Sequence, residues 1–140
     1  MSPLRRAVLA CAVVAASAVS AAPASAYRSC VATATPPHLE VGRDGVHATG
    51  YFTCAQPASD LYLEVCIEEL DGLSLGWRSL GCSATVLNDG GAYLAHEVTV
   101  GVPIYSTVLR ATATGQNDRG ETATGSSAPV PWVNCACFIG

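Results

Sequence analysis

The amino-acid sequence predicts an all-β domain, a two-sheet antiparallel sandwich of about seven or eight strands stabilised by disulfides. Three observations predict it. No stretch carries a sustained 3.6-residue apolar period, whereas several alternate apolar and polar residues with period two and are rich in Val, Thr, Tyr and Leu. Turn signals built from Gly, Asn, Asp and Pro recur about every eight to twelve residues. Six cysteines follow an N-terminal segment that reads as an export signal, and an even number in an exported domain implies disulfides.

The strands follow in order. The first occupies residues 30–35 and is stopped by Pro36-Pro37, which a sheet accepts only at an edge. Beyond residues 38–41, Gly42-Arg43-Asp44-Gly45 is a turn signal. Residues 46–54 set Val46, Ala48, Gly50, Phe52 and Cys54 on one face and His47, Thr49, Tyr51 and Thr53 on the other, the pattern of a half-buried strand. A short Pro-containing loop, 55–60, leads into residues 61–70, with Leu61, Leu63, Val65 and Ile67 towards the core and Tyr62, Glu64, Cys66 and Glu68 outwards. The loop Asp71-Gly72-Leu73-Ser74-Leu75-Gly76 returns the chain into residues 77–85, which carry Trp77, Leu80 and Cys82. Asn88-Asp89-Gly90-Gly91 offers residues that tolerate positive φ and is the clearest turn. Residues 92–102 then supply Leu94, Val98 and Val100 to the core. Residues 105–115 and 121–128 flank Gln116-Asn117-Asp118-Arg119-Gly120, a closing hairpin.

The stretch Pro103-Ile104-Tyr105-Ser106-Thr107-Val108-Leu109-Arg110-Ala111-Thr112-Ala113 resembles the sixth strand of immunoglobulin-like and fibronectin type III-like domains, where a Tyr opens the strand and its hydroxyl ties down the preceding corner. The Leu61-to-Trp77 hairpin is similar to that of small secreted bacterial sandwich proteins, and the likeness extends loosely over residues 28–128. It implies a single immunoglobulin-like scaffold, a fold that hosts many unrelated functions. Two departures stand out. Thr107 occupies the position two residues after the Tyr where antibody domains carry a cysteine, and the chain ends in a Cys135-Ala136-Cys137 tail.

Residues 1–26 read as a signal peptide: Arg5 and Arg6 form a basic start, residues 7–19 an Ala/Val-rich run, and Ala24-Ser25-Ala26 a small-residue cleavage site. The apolar run is shorter than the ~20 residues that span a bilayer, so no membrane anchor is expected after cleavage. Val8-Leu9-Ala10-Cys11 is a poor lipid-attachment site because almost no apolar run precedes it, and Arg5-Arg6 leaves twin-arginine export open beside the general route. The expected organisation is a sandwich over residues 27–128 and a cysteine-containing tail, 129–140, tied to it.

Cys11 leaves with the leader, so Cys30, Cys54, Cys66, Cys82, Cys135 and Cys137 are expected to form three disulfides. Cys66 and Cys82 are symmetric about Ser74 and are the favoured pair. Bonding Cys135 to Cys137 would close a small strained ring, so one is expected to reach Cys30 and the other Cys54. Zinc is the rival reading, but structural zinc sites use other spacings and a reducing compartment.

Charge and motifs narrow the function. The formal charge is −4, and loss of Arg5 and Arg6 takes it to −6; Lys is absent and the remaining arginines are scattered, which excludes a nucleic-acid partner. His38, His47 and His96 lack local metal-ligand spacing and read as surface strand residues; no nucleophile elbow occurs, and no cofactor is expected. Glu68, Glu69 and Asp71, or Asp118 and Glu121, could pair as glycosidase acids but read as solvated ends. Asn88, Asn117 and Asn134 all lack the hydroxyl residue that glycosylation needs. Three features remain. Asp60, Glu64, Glu68, Glu69 and Asp71 form an acidic run without a base. Trp132 and Phe138 lie in a tail without charge, as cover for an open edge or as an aromatic anchor. Leu73 and Leu75 sit on the loop between Cys66 and Cys82. The expectation is a secreted, extracellular, non-enzymatic sandwich that binds a protein or cell-envelope component, the alternative an inhibitor of a secreted protease or glycosidase that uses the 71–76 loop.

Overall fold

A computed structural model describes residues 29–133. Among these there is no helix, and the chain forms eight strands: β1 (Cys30–Ala34), β2 (Val46–Ala58), β3 (Leu61–Leu70), β4 (Trp77–Leu87), β5 (Gly91–Val100), β6 (Thr107–Asn117), β7 (Thr122–Ser126) and β8 (Val130–Trp132). They build a disulfide-stabilised β-sandwich. Sheet I has the order β1-β2-β5; sheet II has the order β4-β3-β6-β7, with β8 also paired to β6, and every pairing is antiparallel.

The alternation read from the sequence sets the layers. Phe52, Val46 and Ala48 of sheet I meet Leu61, Leu63, Val65 and Ile67 of β3 and Leu109, Ala111 and Ala113 of β6, all buried. Gly115 is required here, since a Cβ at that position would run into the Phe52 ring. Ser83 Oγ and His96 Nε2, 2.7 Å apart, join β4 to β5 where the two sheets close.

Two disulfides cross-link neighbouring strands among the described residues. Cys66–Cys82 joins β3 to β4 as the loop symmetry predicted. Cys30 bonds Cys54 rather than a tail cysteine: β1 and β2 are adjacent, and the two residues stand directly opposite each other in their register. Cys135, Cys137 and Phe138, and the signal segment, lie outside the described residues.

Residues 130–132, the first part of the expected tail, pair with β6 at Leu109, Val108 and Thr107. The chain steps from β7 to β8 at Ser127, whose Oγ accepts from the Ala111 N–H while its own N–H donates to the Ala111 carbonyl. Pro129 and Pro131 are tolerated because this is an edge.

Candidate functional site

Three connections leave the same end of the sandwich. Residues 35–45 enter β2 at Val46, which pairs with Val100, the last residue of β5. Residues 101–106 run from there to the start of β6, where Leu109 pairs with Glu69 near the end of β3, and residues 71–76 close the β3–β4 hairpin. This loop end carries Leu39, Val41, Leu73, Leu75, Val102 and Ile104, all exposed; Leu73 is 99% and Leu75 76% accessible. At the opposite end the connections 59–60, 88–90 and 118–121 carry no exposed large apolar side chain.

The 71–76 loop is organised by Asp71. Its carboxylate accepts from the Leu73 N–H at 3.0 Å and the Ser74 hydroxyl at 3.0 Å, and these two bonds, in that order, hold its pKa below the ordinary aspartate value. Its backbone accepts from the Leu75 N–H and donates to the Gly76 carbonyl. The loop so closed holds Leu75 at φ 56°, a left-handed conformation that costs a non-glycine residue about 1–2 kcal/mol. Both leucines are therefore presented on a loop ordered by its own hydrogen bonds, which lowers the entropy lost on contact.

Beneath the loop lies a groove of about 350 Å³, lined by Glu69, Asp71, Arg78, Tyr105 and Val108 among others. Glu69 is its buried centre. The Tyr105 hydroxyl donates to Glu69 Oε2 at 2.6 Å and Arg78 donates to Oε1. Burial pushes the carboxyl up, but the Tyr105 and Arg78 bonds together outweigh it and hold Glu69 below the ordinary glutamate value. The same bonds raise the pKa values of Arg78 and Tyr105. Alongside, Arg110 bonds Glu68 at 2.6 Å and stacks over the Trp77 ring at 4.2 Å.

The structure thus brings Leu73 and Leu75 together at the loop end. Trp132 lies at the same end, on β8 opposite Thr107, the first residue of β6, but it is half-buried against the core and not one of the exposed tips. The acidic run is broken up, because Glu68 and Glu69 take Arg110 and Arg78 from neighbouring strands. The hydroxyl of Tyr105 reaches Glu69, 36 residues upstream, rather than the corner just before it. Sequence reading missed the Glu69–Arg78–Tyr105 groove, although a signal was present: Glu69 continues the inward phase of Leu61, Leu63, Val65 and Ile67, and a carboxylate on a core face needs partners.

His47 also departs from expectation: it is buried, because residues 36–41 fold over it through a bridge between His38 and His47. Its Nδ1 lies 2.8 Å from Thr99 Oγ1 and 3.7 Å from Glu97. Arg43, bonded to both Glu40 and Glu97, clamps that covering segment to sheet I. The one group of metal-ligand type among the described residues is Glu64, Cys66 and Cys82, but both sulfurs are bonded to each other, which leaves no thiolate to bind an ion. No family model and no characterised protein matches the chain.

Proposed function

We propose that this is an exported, non-enzymatic, immunoglobulin-like sandwich that binds another protein through its loop end. The observation that carries the reading is the collection of aliphatic tips on three loops at one end, with Leu75 held in a left-handed conformation to present itself. Isolated exposed leucines are ordinary, but a cluster on one surface marks a contact site. A protein fits better than a phosphate-bearing membrane or nucleic acid, since Arg43 and Arg78 are both taken by glutamates. The groove beside the tips sets the buried Glu69 carboxylate, paired to the exposed Arg78, beside Leu70 and Val108, and is suited to one anchoring side chain of a partner.

Disulfides between adjacent strands support export, as they persist in oxidising compartments. The strand order supports the immunoglobulin-like reading. The alternative, inhibition of a secreted hydrolase, uses the same 71–76 loop and adds stoichiometric loss of the enzyme's activity.

The test is affinity capture from the producing cell's medium and envelope, with the chain from Tyr27 and its Leu73→Ser/Leu75→Ser variant as parallel baits. A protein retained by the first and lost by the second supports the reading. Equal recovery on both baits overturns it.

A further inference from the structure

The two disulfides stand in opposite surroundings. Cys30–Cys54 is buried, and the buried Asn117 amide lies over it, 3.7 and 3.9 Å from its sulfurs. Cys66–Cys82 lies on the outer face of sheet II, with Cys82 exposed to solvent. Glu64, two residues before Cys66 on the same face, brings its carboxylate within 4.8 Å of both sulfurs. Ser79 Oγ lies 3.3 Å from Cys82 Sγ. On a regular strand, residues three apart point to opposite faces. Here a bulge sets Gly81 against Ile67 and Ser79 against Glu68, with Leu80 as the extra residue, and so returns Ser79 to the face of Cys82. A bonded sulfur carries no proton, so the Ser79 hydroxyl is the donor.

We propose that Cys66–Cys82 is a thiol-exchange site, selective for thiols that carry a positive charge. The incoming thiolate bonds to Cys66 Sγ, the Cys66–Cys82 bond breaks, and its electron pair leaves on Cys82 Sγ. The Ser79 hydroxyl, already aimed at that sulfur, stabilises the thiolate as it forms. The product is a mixed disulfide on Cys66 and a free Cys82 thiolate. A second thiolate of the same kind attacks the sulfur that the first brought in. It expels the Cys66 thiolate and leaves as a disulfide with the first thiol, so the thiol is the reductant and two of them are oxidised. The Glu64 charge repels an anionic thiol on approach and attracts a cationic one. The site stands on this local geometry and is independent of the partner proposed for the loop end.

The experiment uses the full chain from Tyr27, with cysteamine as the cationic thiol and 3-mercaptopropionate as the anionic one. Samples are alkylated over time, and labelled cysteines are assigned by peptide fragmentation, which scores Cys135 and Cys137 separately. Cys66 and Cys82 label at least about a hundredfold faster than Cys30 and Cys54, whose attack waits on opening of the core. Relative to a small-molecule disulfide, cysteamine is favoured by roughly tenfold at low salt, and Glu64→Gln removes most of that preference. Ser79→Ala slows exchange at Cys66–Cys82 by about three- to fivefold and leaves the Cys30–Cys54 rate unchanged. Reduction of both bridges at one rate, or a Cys66–Cys82 rate indifferent to Ser79→Ala, overturns the proposal.

Discussion

The two ends of the sandwich solve the same problem, reversing the chain between strands, with different residues. At the end formed by 59–60, 88–90 and 118–121, the left-handed positions are Gly90 (φ 78°) and Gly120 (φ 77°), where no Cβ is strained. Arg119 pins that end by donating to the carbonyls of Pro57 and Gln56, and Asn117 and Glu121 pack polar groups around the buried bridge. At the loop end, Gly42 and Gly45 take left-handed positions in the same way, but the β3–β4 loop gives one to Leu75. A glycine would close that turn with less strain and an aspartate or asparagine with more solubility. One end is therefore finished for stability, and the other carries aliphatic groups and backbone strain that folding alone does not need.

That contrast can be broken at either end. The largest effect is expected from Cys30→Ser with Cys54→Ser, which removes the bridge at the polar end: stability falls by about 2–5 kcal/mol in urea denaturation, while capture of the partner at a temperature where the variant stays folded is retained. A retained stability would show that the polar end is not the anchor. Next, Glu69→Gln weakens the bonds to Arg78 and Tyr105 under the loop and costs about 1–3 kcal/mol at neutral pH. The pH dependence has a definite sign. Because the folded pKa of Glu69 lies below the ordinary 4.5, its ionised pairing stabilises the fold above pH 4.5 and is lost as pH falls through the depressed value. The stability gap between wild type and Glu69→Gln therefore closes on acidification, and a gap that widened below pH 4.5 would contradict the pairing.

Smaller effects sharpen the same comparison. Leu75→Gly relieves the left-handed leucine and is expected to stabilise by roughly 0.5–1 kcal/mol while it weakens capture, a trade visible as a raised melting temperature beside lost binding. Leu73→Ser with Leu75→Ser changes stability by no more than about 0.5 kcal/mol, because both side chains already face water. A large loss there would mean that the leucines serve the fold.

Much of the fold was legible because sheet burial imposes a period of two. The bounds of β3 and its inward set Leu61, Leu63, Val65 and Ile67 came directly from alternation. The symmetry that paired Cys66 with Cys82 about Ser74 also pairs Cys30 with Cys54 about Gly42, a turn residue at φ 81°. The sequence reading assigned Cys30 and Cys54 to the tail cysteines because a Cys135–Cys137 bond would be strained, whereas the first two strands pair antiparallel about that turn and set Cys30 opposite Cys54. At the site, Leu73 and Leu75 were visible as apolar residues in a loop. Their companions Val41 and Ile104 were not, since only the pairing of Val46 with Val100 and of Glu69 with Leu109 brings three distant loops to one end.

The most direct measurement is a three-bait capture from the producing cell's medium and envelope, quantified by mass. The baits are the chain from Tyr27, its Leu73→Ser/Leu75→Ser variant at the loop end, and an Asp89→Arg/Asp118→Arg variant at the polar end, where both side chains are exposed. The account predicts one protein held by the first and third baits and lost from the second. Loss from the third with retention on the second would place the contact at the polar end and contradict it.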